Sequence, residues 1–309
     1  MDKTVALPFY LREGIKPLKN RYPRNPNVMV FDTETDKGIP YLLIFYDGNK
    51  ITYLRVDIDT ILNRFIKYLL EHCSKRRANI LFAHNLQFDL TAVLCKYENE
   101  IFHWRKPPRQ DIYDVGYEGD ENHFLGSIRL FCEKQWWAQI KLKNGAYVKV
   151  VDSANFFKDS LYNISRALGF KYVKRERPCF VKEGRAPRNR KEWQLLYPYC
   201  GNEIKAEFEL AQHILGIHQR YDVGFSVSQA QLGSKIFRKH FLKELIQQIH
   251  PYIRKIAELT IHGGRANTFI ETPIVLPNVK MYDYNSFYPY AMTKLPALTK
   301  GAWLSVNDF

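Results

Sequence analysis

The sequence lacks the features of a secreted, membrane-spanning or zinc-knuckle protein. No stretch reaches the roughly 18 consecutive apolar residues of a membrane span, and the first residues contain no apolar run long enough for a signal peptide. The five cysteines include no CxxC or CxH pair, and an odd number does not suit a disulfide framework. We therefore expect reduced, mostly buried thiols in an intracellular protein that has no membrane partner.

Acidic residues are scarce relative to basic ones. The chain has 309 residues with 46 Lys and Arg against 32 Asp and Glu, which gives a formal net charge of +14. A surplus of this size favours a polyanionic partner, and nucleic acid is the first candidate. Aromatic residues make up 15% of the chain. Most of them are expected in the core, but some can provide stacking surfaces for a single strand.

The patterning predicts three parts and contains no internal repeat or low-complexity tract. Residues 1–26 are basic and proline-rich, which predicts an extended arm. Residues 27–220 combine buried strands with amphipathic helices, which predicts an α/β domain with a mixed sheet flanked by helices. Residues 221–309 are expected to hold linker helices, one of them over 228–249, and a strand over 280–284.

Within the central part, apolar runs and turn signals predict the individual elements. Strands are expected over 28–31, 39–56 (two strands joined at Asp47-Gly48), 80–83, 127–131, 138–143 and 146–151, the last two forming a hairpin at Asn144-Gly145. Helical periodicity is present over 57–72, 88–97, 159–168 and 192–215. Pro198 and Gly201 are expected to kink the last helix or delay its start.

Half of the net charge lies in one segment. Residues 171–191 carry nine Lys or Arg against two Glu. Such a run is usually a solvated loop, but its density makes contact with a phosphate backbone an equal expectation.

Three short segments carry carboxylates that could converge. Asp32 and Glu34 end the first buried strand and project to one face, because residues two apart on a strand share a face. Asp89 follows the 80–83 strand in the first turn of a helix, where its charge suits the helix dipole. Tyr199 and Glu203 are four residues apart, so a helix places them on one side. Taken singly, each is more commonly an ordinary strand end, helix-start acid or surface glutamate.

In this order, the segments resemble the three motifs of the proofreading 3′→5′ exonuclease of family B DNA polymerases, a DEDD-type, RNase H-like domain. The matching residues are Asp32-Thr33-Glu34, Asn85-Leu86-Gln87-Phe88-Asp89 and Tyr199-Cys200-Gly201-Asn202-Glu203. The family has Asp where this chain has Glu203. The extra methylene moves the carboxylate oxygens by roughly 1–1.5 Å, and misplacement on that scale can cost about 10²-fold in rate. Glu207, one turn later, is a less favoured substitute.

The resemblance implies a set of roles. Asp32, Glu34, Asp89 and Glu203 would hold two Mg²⁺ or Mn²⁺ ions, and Tyr199 would orient the attacking water or the scissile phosphate. The resemblance also implies contacts to the 3′-terminal nucleotides of single-stranded DNA from Thr35, His84, Asn85, Phe88 and Ser153. Lys171 or Lys174 is a candidate for the phosphate.

The resemblance continues downstream, into the start of a polymerase palm. The segment from Met281 to Pro289 is similar to polymerase motif A, which would make Asp283 a metal ligand and Tyr288 the residue that discriminates against ribose. Gly263 and Gly264 match the linker motif that contacts the primer strand, although Ile261 stands where the family has Tyr. Asp32 and Asp283 are 251 residues apart, a short spacing that resembles the compact protein-primed replicases of phages, viruses and linear plasmids.

The palm is incomplete in this sequence. The second palm aspartate and the lysine-bearing fingers helix are not present. We therefore expect an N-terminal part of a polymerase whose own chemistry is the exonuclease, because a two-metal polymerase site cannot assemble from one palm carboxylate. The expected partners are a single-stranded primer 3′ end, the palm, fingers and thumb beyond residue 309, and a terminal protein.

Two alternatives stay open at this stage. Glu203 could mark a decayed site, which would leave a DNA-binding module without catalysis. The catalytic acids alone also fit a DEDD ribonuclease, although the segment from Asp283 to Pro289 argues against it.

Overall fold

The computed structural model describes residues 10–95, 111–117, 120–131, 135–173 and 176–249, with the single positions 255 and 294. The chain divides into two compact units, one formed by Leu18–Phe241 and the other by Met1–Pro17 with Leu242–Phe309. In the latter unit, strand β1 (Tyr10–Ile15) pairs antiparallel with strand β10 (Ile246–Ile249). The domain boundaries at residues 26 and 220 stay predictions.

In the part of the unit Leu18–Phe241 that the structure describes, eight strands form a mixed sheet. Its strands are β2 (Asn27–Asp36), β3 (Ile39–Tyr46), β4 (Ile51–Arg55), β5 (Asn79–Ala83), β6 (Asp111–Tyr117), β7 (Asp120–Phe131), β8 (Trp137–Leu142) and β9 (Tyr147–Asp152). They lie in the order β4-β3-β2-β5-β9-β8-β7-β6. β2, β5 and β9 run parallel to one another, and the other neighbouring pairs are antiparallel.

Helices flank this sheet. They are α1 (Ile61–His72), α2 (Leu86–Val93), α3 (Leu161–Ala167), α4 (Cys179–Lys182), α5 (Arg190–Arg220) and α6 (Gln229–Ile236), with a 3₁₀ turn at Ser153–Asn155 and a π-helical turn at Phe237–Phe241. Over the stretches of chain that the structure describes, no helix combines the length and the apolar character needed to cross a bilayer.

The two faces of the sheet carry separate cores. Met29 and Phe31 of β2 pack with α1 and α2 on one face, whereas Val30 packs with α5 on the other. Alternate residues of a strand point to opposite faces. The same alternation therefore turns Asp32 and Glu34 toward α5 and leaves Thr33 on the side of α2.

Most of the predicted elements are confirmed. The central strands and the first two helices form, and the β8–β9 hairpin turns at Asn144-Gly145, where Gly145 has a φ of +80° that favours glycine. The helix predicted over 192–215 runs from Arg190 to Arg220. Pro198 lies inside it and does not delay its start. Cys73, Cys95, Cys179 and Cys200 are free, and of these only Cys73 and Cys200 are buried.

The predicted helix over 228–249 is wrong in its second half. The helix and the π-helical turn end by Phe241, and Ile246–Ile249 forms β10 because these residues pair with β1, more than 200 positions earlier. β6 was not predicted. The strand predicted over 280–284 lies outside the described residues.

Candidate active site

A cleft opens at the edge of the sheet where the parallel strands β2 and β5 end. Their carboxyl ends meet at one edge, which is the usual place for a binding site in a parallel sheet. The cavity has a volume of about 570 Å³. It is lined by Asp32, Thr33, Glu34, Thr35, Tyr41, His84, Asn85, Phe88, Asp89, Ser160, Leu161, Arg177, Val181, Gly184, Arg185, Tyr199, Glu203 and Glu207.

The structure brings the three sequence motifs to this one cleft. All five residues predicted as catalytic line it, namely Asp32, Glu34, Asp89, Tyr199 and Glu203, and so do Thr35, His84, Asn85 and Phe88 from the predicted DNA contacts. Gly263, Gly264, Asp283 and Tyr288 lie outside the described residues, as does the phosphate candidate Lys174. The chemical roles of all these residues stay predictions.

Thr33 joins the first two motifs. Its backbone N–H and its hydroxyl both donate to Asp89 Oδ1, at 3.0 and 2.7 Å, which ties β2 to the first turn of α2. Asp89 is only 2% exposed. Burial raises the pKa of its carboxyl, and the hydrogen bonds from Thr33 and with the Asp32 side chain offset only part of that rise. The carboxyls of Asp32 and Asp89 are therefore close to each other in a buried environment, where ionising both of them is energetically costly.

The third motif lies on the cleft side of α5. Tyr199, Glu203 and Glu207 are spaced four residues apart, so they follow one another along a single face of the helix. The Tyr199 hydroxyl is hydrogen-bonded to Glu203, and burial, with Glu203 and Glu34 adding to it, raises the Tyr199 pKa. Tyr199 is therefore a neutral hydrogen-bond donor at ordinary pH.

Cys200 connects the same helix to β2. Its thiol donates to Glu34 Oε1 at 3.2 Å. Burial, followed by the charges of Glu34 and Asp32, raises the Cys200 pKa well above its ordinary value. The thiol therefore stays protonated and acts as a donor that positions Glu34.

Glu207 is the residue that sequence reasoning underrated. It is 3% exposed and lies against the cleft. Burial raises the pKa of its carboxyl well above the ordinary value, and the charges of Asp32, Asp89, Glu203 and Asp152 raise it further. The helical spacing from Glu203 was the only sequence signal for this position.

Asp152, at the end of β9, organises the start of α2. Its carboxylate accepts from the backbone N–H groups of Asn85, Leu86 and Ala154 at 3.0, 3.1 and 2.9 Å. These bonds hold Asn85 in the left-handed conformation at a φ of 72° immediately before the helix. Asp152 therefore fixes the turn that carries the His84 to Asp89 segment, although it does not itself line the cleft.

Ser153 lies behind the cleft wall and not on it. It is fully buried, and its hydroxyl is 2.9 Å from His84 Nδ1. His84 Nε2 is 3.1 Å from the backbone oxygen of Asp159, so the imidazole is held on both sides. The prediction of a direct contact between Ser153 and a nucleotide does not fit this burial, because the Ser153 hydroxyl contacts His84 and is closed off from the cleft.

Phe88 is the main exposed aromatic ring of the cleft. It is 47% exposed, although it belongs to a helix whose neighbouring residues Leu86, Asp89 and Leu90 are buried. An exposed ring beside a polar cleft is a platform on which a base can stack.

Two arginines of the basic segment, residues 171–191, line the cleft, and they have different hydrogen-bond partners. Arg185 is held by Glu183 and, through two parallel bonds, by Glu192. Arg177 is exposed and is hydrogen-bonded to Tyr199. Burial disfavours the charge of Arg177, but Tyr199 and two nearby glutamates outweigh that effect and raise its pKa. Sequence reasoning marked the basic segment but could not select Arg177, and it missed Tyr41.

The donor set of the cleft suits a hard divalent cation. Carboxylate oxygens are the preferred ligands of Mg²⁺, which is usually bound through one or two carboxylates while it keeps several waters or substrate phosphates. Among the residues that the structure describes, no three His, Cys, Asp or Glu side chains are spaced to enclose one ion. The carboxylates of the cleft therefore fit such an ion by their chemistry, but the described residues do not form a closed cage around one.

Comparisons with known proteins give a limited likeness. No protein-family model matches the chain, and no curated protein sequence matches it. Among solved structures, Phi29 DNA polymerase complexed with single-stranded DNA is 15% identical, with a TM-score of 0.40, over 67% of this chain and 34% of the polymerase. Phi29 DNA polymerase in a ternary complex with primer-template DNA and incoming nucleotides is 16% identical, with a TM-score of 0.44, over 80% of this chain and 40% of that one.

The chain thus spans well under half of the length of these polymerases. A further complex of Phi29 DNA polymerase with primer-template DNA gives a TM-score of 0.36 and 32% coverage of the polymerase. Scores of this size carry no conclusion about function, so the proposal below rests on the residues of the cleft.

Proposed function

We propose that the unit Leu18–Phe241 is a metal-dependent 3′→5′ exonuclease of the RNase H-like DEDD class, acting on single-stranded DNA. One observation carries the proposal: the carboxylates of three separate sequence motifs line a single cleft at the carboxyl edge of the parallel strands, together with Tyr199. Structural carboxylates rarely cluster without a cation, because each added negative charge raises the cost of the others.

The ion ligands would come from three elements. Asp32 and Glu34 of β2, Asp89 of α2 and Glu203 of α5 would hold two Mg²⁺ or Mn²⁺ ions. Bound divalent ions would lower the pKa of the attacking water and stabilise the leaving 3′-oxygen. Thr33 and Cys200 would keep Asp89 and Glu34 in place through the hydrogen bonds described above.

The remaining residues of the cleft would bind and orient the strand end. Tyr199, neutral and a donor, would hydrogen-bond the attacking water or a phosphate oxygen. Arg177 would attract the scissile phosphate, because its guanidinium is exposed at the cleft. Phe88 would stack on a terminal base, with Thr35 and Asn85 beside it.

The link to a family B DNA polymerase rests on the sequence motifs. Asp283 and Tyr288 resemble the start of a polymerase palm, and a palm, fingers and thumb beyond residue 309 would use the exonuclease for proofreading. This assignment and the terminal protein as a partner are proposals based on resemblance.

The experiment is a polarity assay on labelled strands. Single-stranded DNA labelled at the 5′ end is incubated with the chain in Mg²⁺, Mn²⁺ or EDTA, beside a 3′-labelled strand and a matched RNA. We expect a descending ladder from the 5′-labelled DNA, immediate release of a labelled mononucleotide from the 3′-labelled DNA, and no cleavage in EDTA. Cleavage that begins at the 5′ end, or that persists in EDTA, would refute the proposal.

A second candidate is a DNA-holding module without catalysis. Glu203 in place of the family's Asp favours it, and among the described residues no group of three His, Cys, Asp or Glu side chains is placed to hold an ion by itself. Tight binding of the labelled strand without cleavage in Mg²⁺ or Mn²⁺ would establish this alternative. Cleavage of RNA but not of DNA would instead indicate a DEDD ribonuclease.

A further inference from the structure

Glu207 is a buried acid at the cleft that the sequence motif does not use. It lies one turn after Glu203 on α5, and four residues of helix advance by about 6 Å. Both side chains line the same cleft, but Glu207 is almost fully buried whereas Glu203 is partly exposed. The helix therefore carries two carboxylates into the cleft at two depths.

The two carboxylates differ in what they contact. Glu203 is the hydrogen-bond partner of Tyr199. Glu207 Oε1 has no hydrogen-bond partner among the described residues, although solvent does not reach it. A buried oxygen left without a partner is costly, so native structures normally pair it with a donor, an ordered water or a cation.

The surroundings of Glu207 favour a cation among these choices. The acids that act on its charge come from several elements: Asp32 of β2, Asp89 of α2 and Glu203 of α5 itself line the cleft, and Asp152 at the end of β9 lies behind it. A hydrogen bond from a neutral side chain would satisfy Glu207 Oε1, but it would leave the negative charges of the neighbouring acids uncompensated. A divalent cation would satisfy the oxygen and neutralise its neighbours together.

The position of Glu207 also bears on the departure at Glu203. Glutamate reaches further than aspartate by one methylene, so Glu203 cannot reproduce the position of an aspartate carboxylate at the same site. Glu203 meets Tyr199 instead, on the more exposed side. Glu207, which lies one helical turn later and is more deeply buried, is the other carboxylate on this face of α5 that could bind the ion.

We propose that Glu207 is a divalent-cation ligand of this cleft and the stronger of two ligands that α5 contributes, the other being Glu203, which the sequence motif indicates. This inference rests on the proposed function, since it assigns a ligand of the same site. If Glu207 had only a structural role, its substitution would leave the affinity of the protein for the ion unchanged.

The test is Mn²⁺ binding to the full chain, measured by titration calorimetry and by electron paramagnetic resonance of the free ion. The variants are Glu207→Gln, Glu203→Gln and, as a matched control, Glu71→Gln, which changes an exposed glutamate of α1. We expect Glu207→Gln to weaken Mn²⁺ binding by at least about tenfold. Glu203→Gln should weaken it less, and Glu71→Gln should bind like the wild type.

The inference is overturned if Glu207→Gln binds Mn²⁺ within twofold of the wild type, or if Glu203→Gln is the more damaging change. Thermal unfolding in EDTA checks that the variants fold. If Glu207→Gln does not fold, Glu207→Asp decides: it keeps the charge but withdraws the oxygens, so weakened binding supports the assignment and unchanged binding overturns it.

The polarity assay separates this inference from the proposed function. A wild-type chain that binds Mn²⁺ and degrades DNA, beside a Glu207→Gln variant that binds Mn²⁺ equally well, overturns the inference alone. A wild-type chain that neither binds Mn²⁺ nor cleaves overturns the proposed function and the inference with it.

Discussion

At the residue scale, the cleft concentrates carboxylates that are buried against one another. Asp89 and Glu207 are almost without exposure, and both have pKa values raised chiefly by burial. In the absence of a cation, ionising these groups opposes folding. The site should therefore make its own unit less stable as the pH rises, and divalent ions should reverse the effect.

The pH dependence of stability tests the burial of Asp89. The pKa of Asp89 rises from 3.8 to about 8 on folding, so the native state holds its proton while the unfolded chain has released it. The contribution of the protonated Asp89 carboxyl to the free energy of unfolding is complete below about pH 4, and it is lost as the pH rises toward 8. In EDTA, we expect the Tm of the wild type to fall more between pH 5 and pH 8 than that of Asp89→Asn, whose Oδ1 can still accept from Thr33.

Asp59→Asn is the control for this measurement, since it changes an exposed carboxylate of the same protein. Its Tm should follow the wild type at every pH. Equal slopes for the wild type and Asp89→Asn would show that Asp89 is not desolvated as described. Adding Mn²⁺ at pH 8 should raise the Tm of the wild type more than that of Asp89→Asn.

Arg177 tests the recognition of the strand at the same scale. Its guanidinium is exposed at the cleft beside Tyr199. We expect Arg177→Ala to weaken binding of a short single-stranded DNA by about three- to tenfold and to reduce the salt dependence of binding. Fluorescence anisotropy in EDTA measures binding without cleavage. The control is Arg64→Ala, which removes an exposed arginine of α1 and should bind DNA like the wild type. An equal loss of affinity in both variants would show that only the net charge of the protein matters.

At the scale of elements, α5 is held against β4 at the turn that carries Tyr199 and Glu203. The Tyr53 hydroxyl donates to the backbone oxygen of Tyr197 at 2.8 Å. Gly201 allows this approach, because a Cβ at that position would lie 2.6 Å from the same hydroxyl oxygen. A glycine that weakens the helix locally thus permits the close packing that positions the third motif.

A double-mutant cycle tests this packing. Gly201→Ala should destabilise the wild type by about 1–2 kcal/mol through overpacking against Tyr53. In a Tyr53→Phe background the clashing oxygen is gone, so the same change should be neutral or stabilising by up to about 1 kcal/mol, because alanine favours the helix. Urea unfolding measures both. A destabilisation of equal size in the two backgrounds would contradict the described contact.

The elements also show what the sequence could predict. Short-range signals were sufficient for the parallel strands, the hairpin at Asn144-Gly145 and the cleft face of α5, because each depends on apolar periodicity or turn chemistry within a few residues. Short-range signals did not predict a strand whose pairing partner is far away in the sequence. β10 pairs with β1 across more than 200 residues, and no local pattern in Ile246–Ile249 reveals that partner.

The candidate site follows the same rule. The acids at the ends of β2 and at the start of α2 were predictable, because their strands and helix were. Three features were not: the burial of Glu207, the position of Ser153 behind His84, and the approach of Arg177 to Tyr199. The first and third depend on how α5 and the basic segment pack on the sheet, and the second depends on how the segments after β5 and β9 contact each other; the sequence pattern specifies neither.

At the scale of the whole molecule, the chain is strongly basic, whereas the cleft is lined by five carboxylates and two arginines. The net charge of +14 attracts a polyanion from any direction, whereas the carboxylates repel its phosphates at the point of reaction. On the proposed function, a divalent cation would resolve this opposition locally, because it would neutralise the carboxylates and bind the phosphate. The ion is therefore expected to govern cleavage more than overall binding of the strand, which the net charge of the chain also favours.

The most direct test is the initial rate of mononucleotide release from a 3′-labelled single strand by the wild type and by Asp32→Asn, in Mn²⁺, with binding of the same strand measured in parallel. We expect the substitution to reduce release by at least about 10³-fold, because it would remove a proposed ion ligand from the cleft, while DNA binding changes less than threefold. Release at the wild-type rate by Asp32→Asn would contradict the assignment of this cleft as an active site.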